Sequence, residues 1–173
     1  MTEGVLIAVP GSVDTLLRLM QEKAIQGVSN SYVQQLVEVA TPNGDVPALY
    51  DWLKAHYGYA PDPSGTFNLD GRETHYDELL IAPSRIAEDY VTKGITRDMD
   101  CDCMATLSAS MLTILGYQAR IAVVSFSSSG ELEHAYAEYY SFEAEQWIPF
   151  DLASVKPLGW KFPHIRAVYL TMS

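Results

Sequence analysis

The chain has 173 residues, of which 48% are hydrophobic and 19% are charged, values that suit one globular domain with a sizeable core. Its net charge of −11 argues against nucleic acid and anionic lipid surfaces as partners, because both attract basic proteins. No run approaches about 18 continuous apolar residues, so no membrane span is predicted.

The N-terminal segment and the two cysteines indicate where the protein is expected to be located. An apolar run at residues 5–9 lacks a preceding basic segment, so we expect no secretory signal. The two cysteines are separated by one residue and cannot cross-link distant parts of the chain. We therefore predict reduced thiols and a cytoplasmic location, with a phage particle as the alternative.

The first third of the chain predicts a cluster of three short helices. Within residues 12–57 the apolar residues recur at helical spacing. The predicted helix starts are Ser12 or Asp14, Asn30 or Ser31, and Asn43 or Asp45. Residues 58–75 hold two prolines and three glycines among polar residues, and this composition predicts a long surface loop.

The rest of the chain changes from helical to strand patterns. Pro83 opens a predicted short helix that reaches about Val91, and a second helix runs from Cys101 to Leu115 with apolar residues on nearly every side. Strands are predicted at 119–126, 133–141, 146–151 and 166–171. The pattern predicts a single α+β domain over 1–173, with a helical part at 1–57 and a core at 76–171 in which the buried helix packs on an antiparallel sheet.

Three residues form a candidate catalytic group. Cys101 follows Asp100 at a predicted helix start, where the macrodipole and the backbone N–H groups favour a thiolate and can stabilise an oxyanion. His134 and Asp151 lie on successive strands. If these strands pair, both side chains can share one sheet face and point toward the helix start. This order suits a nucleophile, its base and an orienting acid.

Four segments carry a resemblance to a known family. They are DCDCMA at 100–105, LGYQAR at 115–120, HAYAE at 134–138 and WIPFD at 147–151. Together they resemble the core of the transglutaminase-like (papain-like) cysteine hydrolases, and most of all the compact bacterial and phage members. The resemblance implies a papain-like fold and a peptidase or amidase in which Cys101, His134 and Asp151 act without a metal or cofactor. The implied partner is a peptide or protein substrate.

One departure from the family pattern motivates an alternative function. The compact members carry a D-C-D-D box and often an E-x-x-x-x-P run, which here matches Glu78 to Pro83. In this chain Cys103 replaces the last acid of the box. The chain could therefore be a structural component of a phage or prophage that keeps the fold as a scaffold and binds phage structural proteins.

The residues themselves leave further alternatives open. Cys101 could be an inert buried thiol, as free cysteines often are. A zinc site made of Cys101, Cys103, His134 and Asp151 is disfavoured, because two cysteines two positions apart on a helix point in different directions. No glutamine lies where the usual oxyanion donor would be, and Tyr59 or Asn68 could replace it.

Overall fold

A computed structural model describes the backbone of residues 7–9, 13–61, 65–69, 72–76 and 78–173, and the side chains of 13–61 and 80–173. The described ranges form, in chain order, β1 (Ile7–Val9), α1 (Val13–Val28), α2 (Ser31–Ala40), α3 (Val46–His56), β2 (Gly65–Leu69), β3 (Arg72–Tyr76), β4 (Glu78–Leu80), α4 (Pro83–Lys93), α5 (Cys101–Ile114), β5 (Ala119–Ser125), β6 (His134–Ser141), β7 (Gln146–Phe150) and β8 (Arg166–Thr171). The predicted α+β class, with helices before an antiparallel sheet, is confirmed.

Short polar residues start the helices where the sequence predicts. The Asn30 side chain accepts hydrogen bonds from the N–H groups of Tyr32 and Val33, which caps α2. Asp45 precedes α3, and Gly94 ends α4 in the left-handed conformation that glycine adopts without a steric penalty. Ser12, one of the predicted starts of α1, lies outside the described residues.

The main sheet has four antiparallel strands in the order β7-β6-β5-β8. The two faces of this sheet carry different sets of side chains, because successive side chains of a strand point to opposite sides. Ala135 and Ala137 of β6 belong to the same buried cluster as α5, whereas Tyr136 packs with Ala122 and Val124 of β5 in a second cluster on the other face. The sheet therefore has a helix-covered face and an outer face.

Two pairs of strands were not predicted from the sequence. The loop predicted over 58–75 is wrong in its second half, because β2 and β3 form an antiparallel hairpin with Gly65 opposite Tyr76. In addition, β1 pairs with β4, so that Ile7 lies opposite Leu80. The partners of this second pair are about 70 positions apart in the chain, and local sequence patterns do not reveal such distant pairing.

Helix α5 is the centre of the core, as its all-round apolar pattern predicts. Eleven of its residues, from Asp102 to Leu112, are buried. Helix α1 crosses it closely at Gly27, where the Ser110 hydroxyl donates a hydrogen bond of 2.7 Å to the carbonyl oxygen of Ala24. None of the helices in the described ranges is long and apolar enough to cross a bilayer.

Replacing Gly27 by alanine should destabilise the protein, although alanine is normally the better helix residue. A β-carbon at this position would overlap the Ser110 hydroxyl and would lie 3.1 Å from the β-carbon of Pro83. We expect Gly27→Ala to lower the free energy of unfolding by about 1–3 kcal/mol, as overpacking does in close-packed cores. Chemical denaturation measures this, and an unchanged or raised stability would contradict the close crossing of α1 and α5.

Candidate active site

Cys101 is the first residue of α5 and is half-buried. Asp100 precedes it in an extended conformation, and its Oδ1 accepts a hydrogen bond of 3.3 Å from the N–H of Cys103. Asp100 is therefore the N-cap, and the thiol of Cys101 is placed at the positive end of the helix dipole. Neither Cys101 nor Cys103 is part of a disulfide in the structure.

His134 and Asp151 are joined by a hydrogen bond. His134 begins β6, and its Nε2 lies 2.7 Å from Oδ2 of Asp151. The strand register explains the contact, because Phe150 lies opposite Ala137. Asp151 directly follows Phe150, just beyond the end of β7, and its side chain reaches His134 at the start of β6. The structure therefore brings the side chains of His134 and Asp151 together.

The carboxylate of Asp151 is held from several sides. Its Oδ1 accepts a hydrogen bond of 3.0 Å from the N–H of Ala153, which leaves Oδ2 for His134. From α3, the Tyr50 hydroxyl lies 3.0 Å from the carbonyl oxygens of both Asp151 and Lys156. Lys54 donates to the carbonyl oxygen of Leu152. Helix α3 therefore fixes the backbone that carries the acid.

Tyr59 connects the N-terminus of α5 with the His134–Asp151 pair. It forms a parallel bridge with Met99, two positions before Cys101, and the flanking N–H of Ala60 donates to the carbonyl oxygen of Met99 at 2.9 Å. Tyr59 also lines a cavity with His134 and Asp151. Of the two residues considered as oxyanion donors, Tyr59 is at this site, and the side chain of Asn68 lies outside the described residues.

The electrostatics of Tyr59 keep its hydroxyl protonated. Partial burial raises the pKa of Tyr59 above its ordinary value, and negative charge on Cys101, Asp100, Asp102 and Asp151 raises this pKa further. A phenol with a raised pKa remains a hydrogen-bond donor throughout the neutral and mildly alkaline range. The bridge to Met99 and the cavity shared with Asp151 place Tyr59 next to both charged regions.

An ion pair holds the segment that leads into α5. Asp89 of α4 is buried and pairs with Arg85, at 2.9 Å, and with Arg97. Burial alone would raise the pKa of Asp89, but the hydrogen bond from Arg85 and the charges of Arg97 and Arg85 outweigh it, so this pKa is lowered. Arg97 is thereby tied to α4 four positions before Cys101.

Cys103 differs from Cys101 in its surroundings. It is 1% exposed, and its Sγ accepts a hydrogen bond of 3.3 Å from the N–H of Ile81. Burial raises the pKa of the Cys103 thiol well above its ordinary value, and the charges of Asp102 and Asp100 raise it further. A thiol in this state is a poor nucleophile and a poor metal ligand.

The possible metal ligands of the described residues differ from the zinc set that the sequence disfavours. Asp100, Asp102 and Cys103 are buried, and their ligand atoms lie within 4.8 Å of one another. The zinc set considered above instead combined both cysteines with His134 and Asp151. Asp100 Oδ1 caps α5 and Cys103 Sγ accepts the hydrogen bond from Ile81, so both ligand atoms already have a role within the protein.

Comparisons with known proteins agree with the fold described above. The family model of the transglutaminase-like superfamily matches residues 30–152, which is well over half of the chain. No curated protein matches the chain by sequence. Two solved structures that resemble it share less than 20% of their residues with it.

One such structure is a candidate cysteine protease from Cytophaga hutchinsonii, with 19% sequence identity and a TM-score of 0.47. The match covers 96% of this chain and 52% of that one, so this chain spans about half the length of its neighbour. Another is the Rad4–Rad23 complex bound to a 6-4 photoproduct lesion, with 15% identity and a TM-score of 0.36 over 84% of this chain and 36% of that one. At these scores neither neighbour informs the function of this chain.

The family match includes α5, β5, β6 and β7, and therefore Cys101, His134 and Asp151. It supports a protein of the cysteine hydrolase or transferase kind. The chain belongs to the transglutaminase-like superfamily.

Proposed function

We propose that the chain is a cysteine-dependent amide hydrolase, a peptidase or amidase, that acts through Cys101, His134 and Asp151. The hydrogen bond of 2.7 Å between His134 Nε2 and Asp151 Oδ2 is the main support, because it is the contact that orients a catalytic base. Tyr59, which bridges Met99 and lines a cavity with both residues, links this pair to the start of α5.

Each residue has a defined step in the proposed reaction. Asp151 holds Nε2 of His134, so Nδ1 is the ring nitrogen that takes the thiol proton of Cys101. The thiolate sulfur attacks the amide carbonyl carbon, and His134 gives the proton to the leaving nitrogen as the C–N bond breaks. A water then attacks the thioester, transfers a proton to His134 and releases the acid, and the proton returns to the sulfur.

Two kinds of donor are proposed for the oxyanion that forms during attack. The backbone N–H groups at the N-terminus of α5 supply the first, since helix N-termini stabilise negative charge. The Tyr59 hydroxyl supplies the second, because its raised pKa keeps its proton in place at neutral pH. Tyr59 thus takes the role for which the sequence offers no glutamine.

Water is the proposed acceptor of the acyl group, since no feature of the sequence marks a dedicated site for a protein amine. The proposed location is the cytoplasm. A scaffold role in a phage particle, bound to phage structural proteins, is the competing prediction. The two differ in chemistry, because a scaffold needs no reactive thiol.

The two cysteines should differ sharply in reactivity. With the native protein at neutral pH, iodoacetamide should alkylate Cys101 and leave Cys103 intact, because the raised pKa of Cys103 keeps its buried thiol protonated. Peptide mass mapping identifies the modified residue, and Cys103→Ala is the matched variant that should keep the rate of the wild type. Modification of Cys103 before Cys101 would contradict the assignment of the nucleophile.

The triad should form an acyl-enzyme with an activated ester. On mixing with p-nitrophenyl acetate, the wild type should carry one acetyl group on Cys101 and then release acetate. We expect acylation to slow by about 10²–10⁴ in His134→Ala, because the general base is lost. In Tyr59→Phe we expect a loss of about 10²–10³, typical of one oxyanion donor. Stopped-flow detection of p-nitrophenol and intact mass measure both.

Two controls make the acylation test decisive. Cys101→Ser should remove the acetyl adduct, whereas Tyr32→Phe, which removes a phenol hydroxyl from α2, should behave like the wild type. Acetylation of Cys101 at the same rate in His134→Ala as in the wild type would overturn the proposed function and favour the scaffold role.

A further inference from the structure

The cavity beside the His134–Asp151 pair has a volume of about 520 Å³, within the range of about 300–1,000 Å³ that small-ligand sites occupy. His134 and Asp151 are among its lining residues, and Cys101 is not. The cavity therefore extends from the base and the acid rather than from the thiol. Its remaining walls come mainly from apolar side chains: Tyr59, Phe126, Ala153, Val155, Phe162 and Pro163.

Two phenylalanine rings lie beside the imidazole of His134. Phe126 stacks against His134 with ring centroids 6.2 Å apart. The centroid of the Phe162 ring lies 6.4 Å from that of Phe126 and 6.4 Å from that of His134. Phe126 is 41% exposed, and Val155, which lines the same cavity, is 97% exposed. Large apolar side chains that are exposed together at a cavity are a feature of binding sites.

A second cavity provides a contrast within the same molecule. It has a volume of about 340 Å³ on the outer face of the sheet, and Phe162 separates it from the first because this residue lines both. Charged and polar side chains surround it, including Arg120, Glu138, Glu145 and Lys161. The described residues that line the first cavity include no lysine, arginine or glutamate.

The position of the cavity relative to His134 identifies which part of a substrate reaches it. In the proposed hydrolysis the leaving nitrogen must contact His134 to receive its proton. A substituent on that nitrogen would extend past the imidazole into the part of the cavity that Phe126 and Phe162 line. An acidic side chain there would be repelled by the charge of Asp151. It would also lose hydrating water to apolar walls that offer it no hydrogen-bond partner.

We infer that the cavity binds a large apolar side chain on the amine side of the scissile amide, so that the substrates are peptides with such a residue directly after the cleaved bond. This inference rests on the proposed function. By microscopic reversibility, the amine that leaves in hydrolysis is also the amine that best attacks the acyl-enzyme. The preference can therefore be measured without knowledge of the natural substrate.

The test uses the acetyl-enzyme formed from p-nitrophenyl acetate and the amides of phenylalanine, leucine, asparagine and aspartate as acceptors. The amine nitrogen bonds to the thioester carbon as the C–S bond breaks, and its proton passes through His134 to the sulfur. For each acceptor, chromatography gives the ratio of acetylated amide to acetate, corrected for the unprotonated fraction of the amine. We expect the phenylalanine and leucine amides to exceed the asparagine and aspartate amides by at least about 10-fold.

Matched substitutions locate the preference in the cavity. Val155→Asp places a charge on the cavity wall at a fully accessible position, and we expect it to reduce the apolar preference to about two-fold or less. Val39→Asp makes the same change on α2, at a residue that is 49% exposed, and should keep the preference. The ratio of acetylated amide to acetate is measured separately for each variant. A change in how fast that variant forms the acetyl-enzyme therefore does not affect the ratio.

The outcomes separate this inference from the proposed function. If no acetyl-enzyme forms at Cys101, the proposed function fails and the subsite fails with it. If the acetyl-enzyme forms and hydrolyses, but the four amides differ by less than two-fold or none is acetylated, the subsite alone is overturned. An apolar preference that survives Val155→Asp also overturns it, because the cavity would not be its source.

Discussion

The burial of α5 between the other helices and the sheet is the constraint on which the rest of this structure depends. Residues from Asp102 to Leu112 are all buried, so the helix has no room to rotate or slide without opening the core. Gly27 of α1 contributes by letting the two helices approach closely. The N-terminus of α5, and Cys101 with it, is thereby held in one position relative to the core.

The second half of the candidate site depends on hydrogen bonds to the backbone. Asp151 lies just beyond the last residue of β7, where the sheet no longer holds the chain. Tyr50 and Lys54 of α3 donate to the carbonyl oxygens of Asp151 and Leu152, so α3 holds the acid in place as well as completing the core. This gives the helical part of the chain a role at the site that does not require it to contact a substrate.

Local patterns in the sequence predict most of this fold and part of the site. The all-round apolar pattern of 101–115 predicts a buried helix, and α5 (Cys101–Ile114) is one. The predicted strand 133–141 matches β6 (His134–Ser141), which carries the candidate base at its first residue. The β2–β3 hairpin was missed because its segment is rich in glycine and polar residues, and β1 because its partner is distant in the chain. Tyr50 and Lys54 were missed because a side chain that binds a remote carbonyl oxygen leaves no motif in the sequence.

The central claim is that Cys101 is activated by His134, and the pH dependence of its alkylation tests this most directly. The rate of iodoacetamide modification at Cys101 should follow a thiolate that forms well below the ordinary cysteine pKa of about 8.5. In His134→Ala the midpoint of the pH–rate profile should rise toward that value. In Asp151→Asn the midpoint should also rise. An ordinary thiol profile in the native protein, unchanged in His134→Ala, would contradict the account.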